Sequence, residues 1–150
     1  MQAWQLLKLV HVLAVVVALG ANFTYAFWLA QAGRDRDRLL FVIASIRRLD
    51  RRVANPAYLV VFLAGAGMVL TGPFTFQAFW VAAAIVLYVL VAILGITVYA
   101  PAVRRQLALA REDPATHAYD AAARRARLIG LGVTAIVVVI VALMVLKPTT

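Results

Sequence analysis

The sequence predicts an all-α integral-membrane fold, a four-helix bundle, from its composition, its charge-free stretches and the position of its charges. The chain has 150 residues, of which 65% are hydrophobic and 14% are charged, and its mean hydropathy is +0.94. A soluble domain is typically about half apolar and about a quarter charged. Because nearly all basic residues flank long uncharged stretches, the charges mark helix ends. The length fits a single transmembrane domain over residues 1–150.

Helix 1 is predicted over about residues 4–31. Residues 9–33 form a stretch of 25 residues without a formal charge. At about 1.5 Å per residue this stretch exceeds the roughly 30 Å hydrocarbon core of a bilayer. A cleaved signal peptide is the alternative, but the uncharged run is too long for one, so a retained helix is favoured.

Helix 1 carries one polar face. His11 and Asn22 are eleven residues apart, close to three helical turns, and Tyr25 lies within about 40° of the same line. An ionisable residue in a membrane segment is a functional-site candidate. The polar face coincides with the close-packing face of this helix, so we predict that His11 points into the bundle. Small residues that recur every four positions predict a close-packing stripe on this helix: Ala14, Ala18, Ala26 and Ala30.

An amphipathic segment is predicted over about residues 39–53, between helices 1 and 2. Its predicted apolar face consists of Leu39, Val42, Ile46, Leu49 and Val53. Its other face is a basic patch that consists of Arg47, Arg48, Arg51 and Arg52. This pattern predicts an interfacial helix whose guanidinium groups meet anionic lipid headgroups. An extension of helix 2 into the cytoplasm is the alternative, and the sequence leaves both open.

The remaining three spans are separated by proline-containing sites. Residues 53–103 contain no charge, and these 51 residues are enough for two helices that break at 71–73. Asn55-Pro56 predicts the start of helix 2, over about 56–70, and helix 3 follows over about 76–103. Asp113-Pro114 predicts the start of helix 4, over about 114–146.

The charge distribution predicts the topology. Seven basic residues lie in 34–52 and six in 104–127, out of 15 in the chain, and all six acidic residues lie in the same two stretches. By the positive-inside rule both stretches are cytoplasmic and both termini lie outside. A net charge of +9 that is confined to span ends indicates topology and contact with lipid rather than nucleic acid.

His11 is the main candidate for chemistry. A neutral imidazole in a helix bundle is a common axial ligand of haem iron, and the alternative is a packing histidine that bonds to a neighbouring helix. His117 falls on the cytoplasmic side, so a site with two histidines needs a homo-oligomer. Arg51 and Arg52 fit lipid headgroups or, alternatively, an anion clamp. With no charge inside a span, proton-coupled transport is disfavoured.

Three short motifs resemble those of the HemJ/CopD-related membrane proteins, over about residues 4–110. They are Lys8 followed by His11, the run DRRVAN at 50–55, and the run VRRQLA at 103–108. The resemblance implies a protein of the bacterial cytoplasmic membrane that binds haem b through His11, with Arg52 near the cofactor. Asn22 and Tyr25 would line the same site, because their spacing places them on the His11 face of helix 1. HemJ-like sequences place a lysine after a tryptophan early in helix 3, whereas no lysine follows Trp80 here. The chain is therefore more similar to uncharacterised bacterial relatives, and an enzymatic role is disfavoured.

Two main functional hypotheses follow. In the first, the chain is a haem-associated membrane protein with His11 as the iron ligand. In the second, it is a non-enzymatic scaffold or assembly partner whose basic face meets lipid or protein. An oligomeric small-molecule permease is a weaker third hypothesis.

Overall fold

The computed structural model describes residues 2–72 and 75–148, and every regular element in those residues is a helix. The helices are α1 (Ala3–Ala32), α2 (Arg36–Leu49), α3 (Asn55–Thr71), α4 (Phe79–Leu94), α5 (Ala100–Glu112) and α6 (His117–Leu146). Two π-helical turns, Asp50–Ala54 and Gly95–Tyr99, join α2 to α3 and α4 to α5 without a break. The predicted break at 71–73 includes Pro73, which lies outside the described residues.

Among the described residues, four continuous helices are long and apolar enough to cross a membrane: Ala3–Ala32, Arg36–Thr71, Phe79–Glu112 and His117–Leu146. The all-α fold class with four candidate spans is therefore confirmed. The described residues divide between Thr75 and Phe76 into two compact units, each of which is a helical hairpin.

In the first hairpin, α1 runs antiparallel to the long helix Arg36–Thr71. The beginning of α1 meets the end of α3, where a Cβ placed on Gly67 would lie 3.0 Å from Leu7 Cδ1. The end of α1 packs against α2 and the π turn, and Tyr25 there bonds to Asp50. One face of α1 is therefore covered along most of its length by a single partner helix.

The buried face of α1 departs from the predicted small-residue stripe. Ala14 and Ala18 are buried as predicted, whereas Ala26 and Ala30 are exposed. A repeat of four residues advances 400°, so the stripe turns by about 40° at each step and leaves the interface after Ala18. The residues that are buried follow a spacing of three and four, which keeps them on one side: His11, Ala14, Ala18, Tyr25 and Ala32.

The amphipathic segment is not a separate interfacial helix, which corrects the predicted arrangement and the predicted start of helix 2 at Asn55-Pro56. Residues 36–49 form α2, which continues through the π turn into α3. The apolar residues of α2 that are buried, Leu39, Ile43 and Ile46, belong to an element that packs against α1. The sequence-based alternative, an extension of helix 2, describes the observed helix.

The π turn explains how the helix passes Pro56. Proline has no N–H to donate, and its ring crowds the carbonyl four residues earlier. The π turn widens the helix just before this point, with the Asn55 N–H bonded to the Asp50 carbonyl five residues back. A second π turn precedes Pro101 in the same way, with the Ala100 N–H bonded to the Gly95 carbonyl. Helix 3 therefore ends at Glu112 rather than near 103.

In the second hairpin, the long helix Phe79–Glu112 packs antiparallel to α6. Lys147 Nζ lies 5.8 Å from the centre of the Trp80 ring at one end of the hairpin. At the other end, the buried Gln106 Nε2 donates to the Tyr119 hydroxyl at 3.4 Å. Gly130 lies between these ends, and a Cβ there would approach Tyr99 Cε2 to 3.3 Å.

The last helix begins three residues later than predicted. Asp113 does not cap α6, because its side chain accepts a hydrogen bond from the Ala115 N–H within the turn. Thr116 is the N-cap instead, and its hydroxyl accepts from the Tyr119 N–H at 3.2 Å. The helix then starts at His117.

Thr116→Ala is expected to lower the free energy of unfolding by about 1 kcal/mol, because it leaves an N-terminal N–H of α6 without its acceptor. Thr116→Ser keeps the hydroxyl and is the matched control, with an expected change close to zero. Thermal unfolding in detergent, followed by far-ultraviolet circular dichroism, measures both variants. Equal stability of the alanine and serine variants would show that the cap contributes nothing.

Candidate functional site

His11 is buried in the first hairpin, with 5% of its surface exposed. Its Nδ1 atom lies 2.8 Å from the Val61 carbonyl oxygen of α3. Because a carbonyl oxygen only accepts hydrogen bonds, Nδ1 carries the hydrogen and the Nε2 atom of the neutral ring keeps a lone pair. Nε2 is buried and has no hydrogen-bond partner among the described residues.

Gly65 makes the close approach of the imidazole to α3 possible. A Cβ at this position would lie 3.3 Å from His11 Cε1 and 3.4 Å from Nδ1, tighter than most Cβ contacts. Glycine therefore lets the ring lie against the helix backbone, one turn beyond the carbonyl that holds it.

The bond of His11 Nδ1 to a backbone carbonyl is of a kind that metal-binding histidines make. Such a histidine usually donates its second ring N–H to a backbone carbonyl or a carboxylate, which fixes the tautomer and the ring orientation. Within residues 2–72 and 75–148, no group of three or more His, Cys, Asp or Glu residues could hold a bare metal ion. A haem would need only an axial ligand from the protein, because the porphyrin supplies four ligands.

Asn22 and Tyr25 face the same partner helix but have bonds of their own. Asn22 Nδ2 donates to the Tyr58 hydroxyl. The Tyr25 hydroxyl donates to Asp50 Oδ1 at 2.6 Å, next to the π turn. Asn22 is eleven residues from His11, roughly 16 Å along the helix axis. The structure therefore places three polar contacts along one seam but does not bring these side chains to one point.

The partners of these three side chains were not identified in the sequence as site residues. Tyr58 and Asp50 lie on the second helix, and only the antiparallel pairing brings them opposite Asn22 and Tyr25. Among these partners, only Asp50 could have been singled out from the sequence, because it is the acidic residue nearest the uncharged stretch 53–103. The Val61 contact uses a backbone carbonyl, which no side-chain pattern reveals.

The basic patch is accessible on the first hairpin. Arg48, Arg51 and Arg52 are exposed and Arg47 is partly exposed, around the junction of α2 with the π turn. Arg52 is nine residues from Val61, which is about 14 Å along the helix. His117 is exposed at the first position of α6, as expected for a helix-start residue in solvent.

Comparison with protein families matches this chain over residues 5–148 to a family described as "Predicted integral membrane protein (DUF2269)". The chain belongs to this family. The DUF2269 description agrees with the four candidate spans and supports the prediction of an uncharacterised integral-membrane family. No curated protein and no solved structure matches the chain.

Proposed function

We propose that this DUF2269 chain is a haem-associated membrane protein in which His11 is an axial ligand of haem b through Nε2. The supporting observation is the buried Nε2 lone pair, which has no partner in the part of the chain that the structure describes, while Nδ1 is held by the Val61 carbonyl. Leaving a buried polar atom unpaired costs about 1–3 kcal/mol. Coordination of a haem iron by this atom would remove that cost.

The chain's own residues would bind and orient the cofactor. The Val61 carbonyl sets the tautomer, and Gly65 leaves room for the ring. Because Nε2 is enclosed, iron reaches it only after neighbouring side chains move aside. Bound haem would supply one-electron redox chemistry or would itself be the molecule that is transferred.

Arg52 would contact the propionates of the same haem only under a geometric condition. It lies about 14 Å along the helix from Val61, so it would hold the propionates only of a haem that spans this distance from His11. The proposal therefore rests on His11, and Asn22 and Tyr25 act mainly in holding the hairpin together. The HemJ/CopD resemblance supports the same ligand, and the proposal includes no catalytic step.

We also propose that the chain lies in a bacterial cytoplasmic membrane with both termini outside. The concentration of arginine in 34–52 and 104–127 supports this orientation. The basic patch would then meet anionic headgroups of the cytoplasmic leaflet.

The test is the visible absorption spectrum of the detergent-purified chain, as isolated and during haem titration, for the wild type, His11→Ala and His11→Asn. Asparagine keeps an N–H donor close to the position of Nδ1 but has no atom at the position of Nε2. We expect a Soret band in the wild type and at least a tenfold loss of haem affinity, about 1.4 kcal/mol, in both variants.

The enclosure of Nε2 favours a second candidate, a non-enzymatic scaffold in which His11 is only a packing residue. On that reading the wild type retains no haem, and His11→Asn is as stable as the wild type because it preserves the bond to Val61. A Soret band that is equal in all three proteins would also rule out His11 as the ligand.

A further inference from the structure

The four arginines of the basic patch share one surface of the first hairpin. Arg47 and Arg48 are in the last turn of α2, and Arg51 and Arg52 follow in the π turn. Each arginine of the first pair is three to five residues from those of the second, and residues three or four apart are neighbours on a helix surface. The four cations therefore lie together over a rise of about 7 Å.

The acidic residue nearest the basic patch is directed toward the inside of the hairpin. Asp50 is the only acidic residue between Asp37 and Glu112 in the sequence. It is partly buried, and its Oδ1 atom accepts a hydrogen bond from the Tyr25 hydroxyl of α1 at 2.6 Å. The carboxyl group therefore lies on the α1 side, while the arginines present their positive charges on the exposed surface.

The basic patch lies where the charged part of the helix meets its uncharged part. Val53 directly follows Arg52 and begins the stretch of 51 residues without a charge. Basic residues at such a boundary are at the level of lipid phosphates. Further along the same continuous helix, Leu59 and Leu63 are exposed apolar side chains that acyl chains can cover. A lipid uses both surfaces, whereas a nucleic acid or a soluble anion uses only the first.

We propose that the basic patch binds one molecule of cardiolipin, a lipid whose two phosphodiester groups are joined by one glycerol. The planar fork of an arginine suits phosphate oxygens, and four guanidinium groups provide two for each phosphate. Neighbouring like charges destabilise a helix, and two phosphates relieve this repulsion along the whole patch. This inference rests on the lipid contact proposed above and adds which lipid is bound.

The link between the two phosphates is what favours cardiolipin over lipids with one phosphate. Once the first phosphate is bound, the second is held at a high effective concentration beside the remaining arginines. Two separate molecules of phosphatidylglycerol have no such link. Cardiolipin therefore binds more tightly at the same concentration of phosphate.

Native mass spectrometry of the full chain in detergent tests the proposal. The protein is titrated in parallel with cardiolipin, phosphatidylglycerol and phosphatidylcholine that carry the same acyl chains, at equal concentrations of phosphate. The test variant is Arg48→Gln/Arg52→Gln. The matched control is Arg104→Gln/Arg105→Gln, which removes two exposed arginines at the other end of the uncharged stretch 53–103.

We expect the wild type and the control variant to bind cardiolipin about tenfold more tightly than phosphatidylglycerol. An exposed ion pair contributes up to about fivefold to an equilibrium constant, so the loss of two guanidinium groups in the test variant should weaken cardiolipin binding by about tenfold. Phosphatidylglycerol binding should weaken by only about twofold, because the remaining pair of arginines still holds one phosphate. Phosphatidylcholine, which has no net charge, should bind weakly and equally to all three proteins.

Two results would overturn the proposal. One is equal binding of cardiolipin and phosphatidylglycerol by the wild type. The other is an equal loss of cardiolipin binding in the two double variants, which would assign lipid contact to basic residues at every span end. Circular dichroism of each variant excludes loss of fold as the cause.

The titration is independent of the proposed membrane orientation, because detergent micelles have no sides. The orientation is tested separately by labelling of Ala115→Cys in intact cells, since the chain has no other cysteine. Labelling by an impermeant reagent would contradict the orientation but not a measured lipid preference. Protection from that reagent, together with no preference for cardiolipin, would contradict the lipid proposal alone. Neither result depends on whether His11 binds haem.

Discussion

Ala18→Leu is expected to destabilise the first hairpin by about 1–3 kcal/mol or more, because it inserts a branched side chain into a closely packed helix interface. Ala18 has no exposed surface, and neither does Ala54 at the end of the π turn on the partner helix. Without a hydrophobic force between helices in lipid, such small residues let the backbones pack closely. A larger side chain at Ala18 forces the two helices apart.

The matched control is Ala26→Leu, which is the same substitution eight residues later on the same helix. Ala26 is exposed, so we expect a change within about 0.5 kcal/mol. The measurement is the free energy of unfolding in mixed detergent and sodium dodecyl sulfate, followed by the fluorescence of Trp4 and Trp28 in a Trp80→Phe background. Equal destabilisation by both variants would contradict the observed interface and support the predicted four-residue stripe.

The different burial of Ala18 and Ala26 also indicates which part of the fold the sequence could predict. Charge-free length predicts spans, because burial in lipid depends on a continuous run of about 20 residues. The residues that form the helix–helix interface depend instead on small differences in the spacing of small residues along α1. A stripe that repeats every four residues turns away from the partner helix. Ala14 and Ala18 were therefore predicted correctly, and Ala26 and Ala30 were not.

The residues that commonly mark the start of a helix also gave a wrong prediction, because tertiary packing overrides this local preference. Asn55-Pro56 has the composition of a helix start, yet the π turn carries the helix past Pro56 and α2 continues into α3. Packing of α2 and the π turn against α1 accompanies this continuation. Whether such a proline begins a helix or lies inside one depends on the neighbouring helix, which the sequence does not specify.

The sequence predicted the side chains that donate hydrogen bonds in the candidate site, but it did not predict the groups that accept them. Helical periodicity placed His11, Asn22 and Tyr25 on one face, and all three contact the second helix. Their partners required the register between two helices. Register shifts of a single residue would rotate Asp50 by about 100° away from Tyr25.

Tyr25→Phe is expected to lower the free energy of unfolding of the first hairpin by about 1–2 kcal/mol. The change removes the hydroxyl that donates to Asp50 Oδ1 at 2.6 Å and leaves a partly buried carboxyl without that donor. Hydrogen bonds to charged groups contribute about 1.5–3 kcal/mol in proteins, and those between membrane helices average about 0.6 kcal/mol. Asp50 lies at the edge of the uncharged stretch, so an intermediate value is expected.

Thr24→Val is the control, because it removes a neighbouring exposed hydroxyl that bonds only to the Ala21 carbonyl of its own helix. A double-mutant cycle of Tyr25→Phe with Asp50→Asn isolates the coupling between the two side chains. We expect a coupling energy of about 1 kcal/mol, measured in the same fluorescence assay. Coupling near zero, with Tyr25→Phe no more destabilising than Thr24→Val, would mean that close packing rather than the polar seam joins the two helices. His11 would then be the polar residue on α1 that still needs a functional explanation, because its Nε2 atom would still be buried without a partner among residues 2–72 and 75–148.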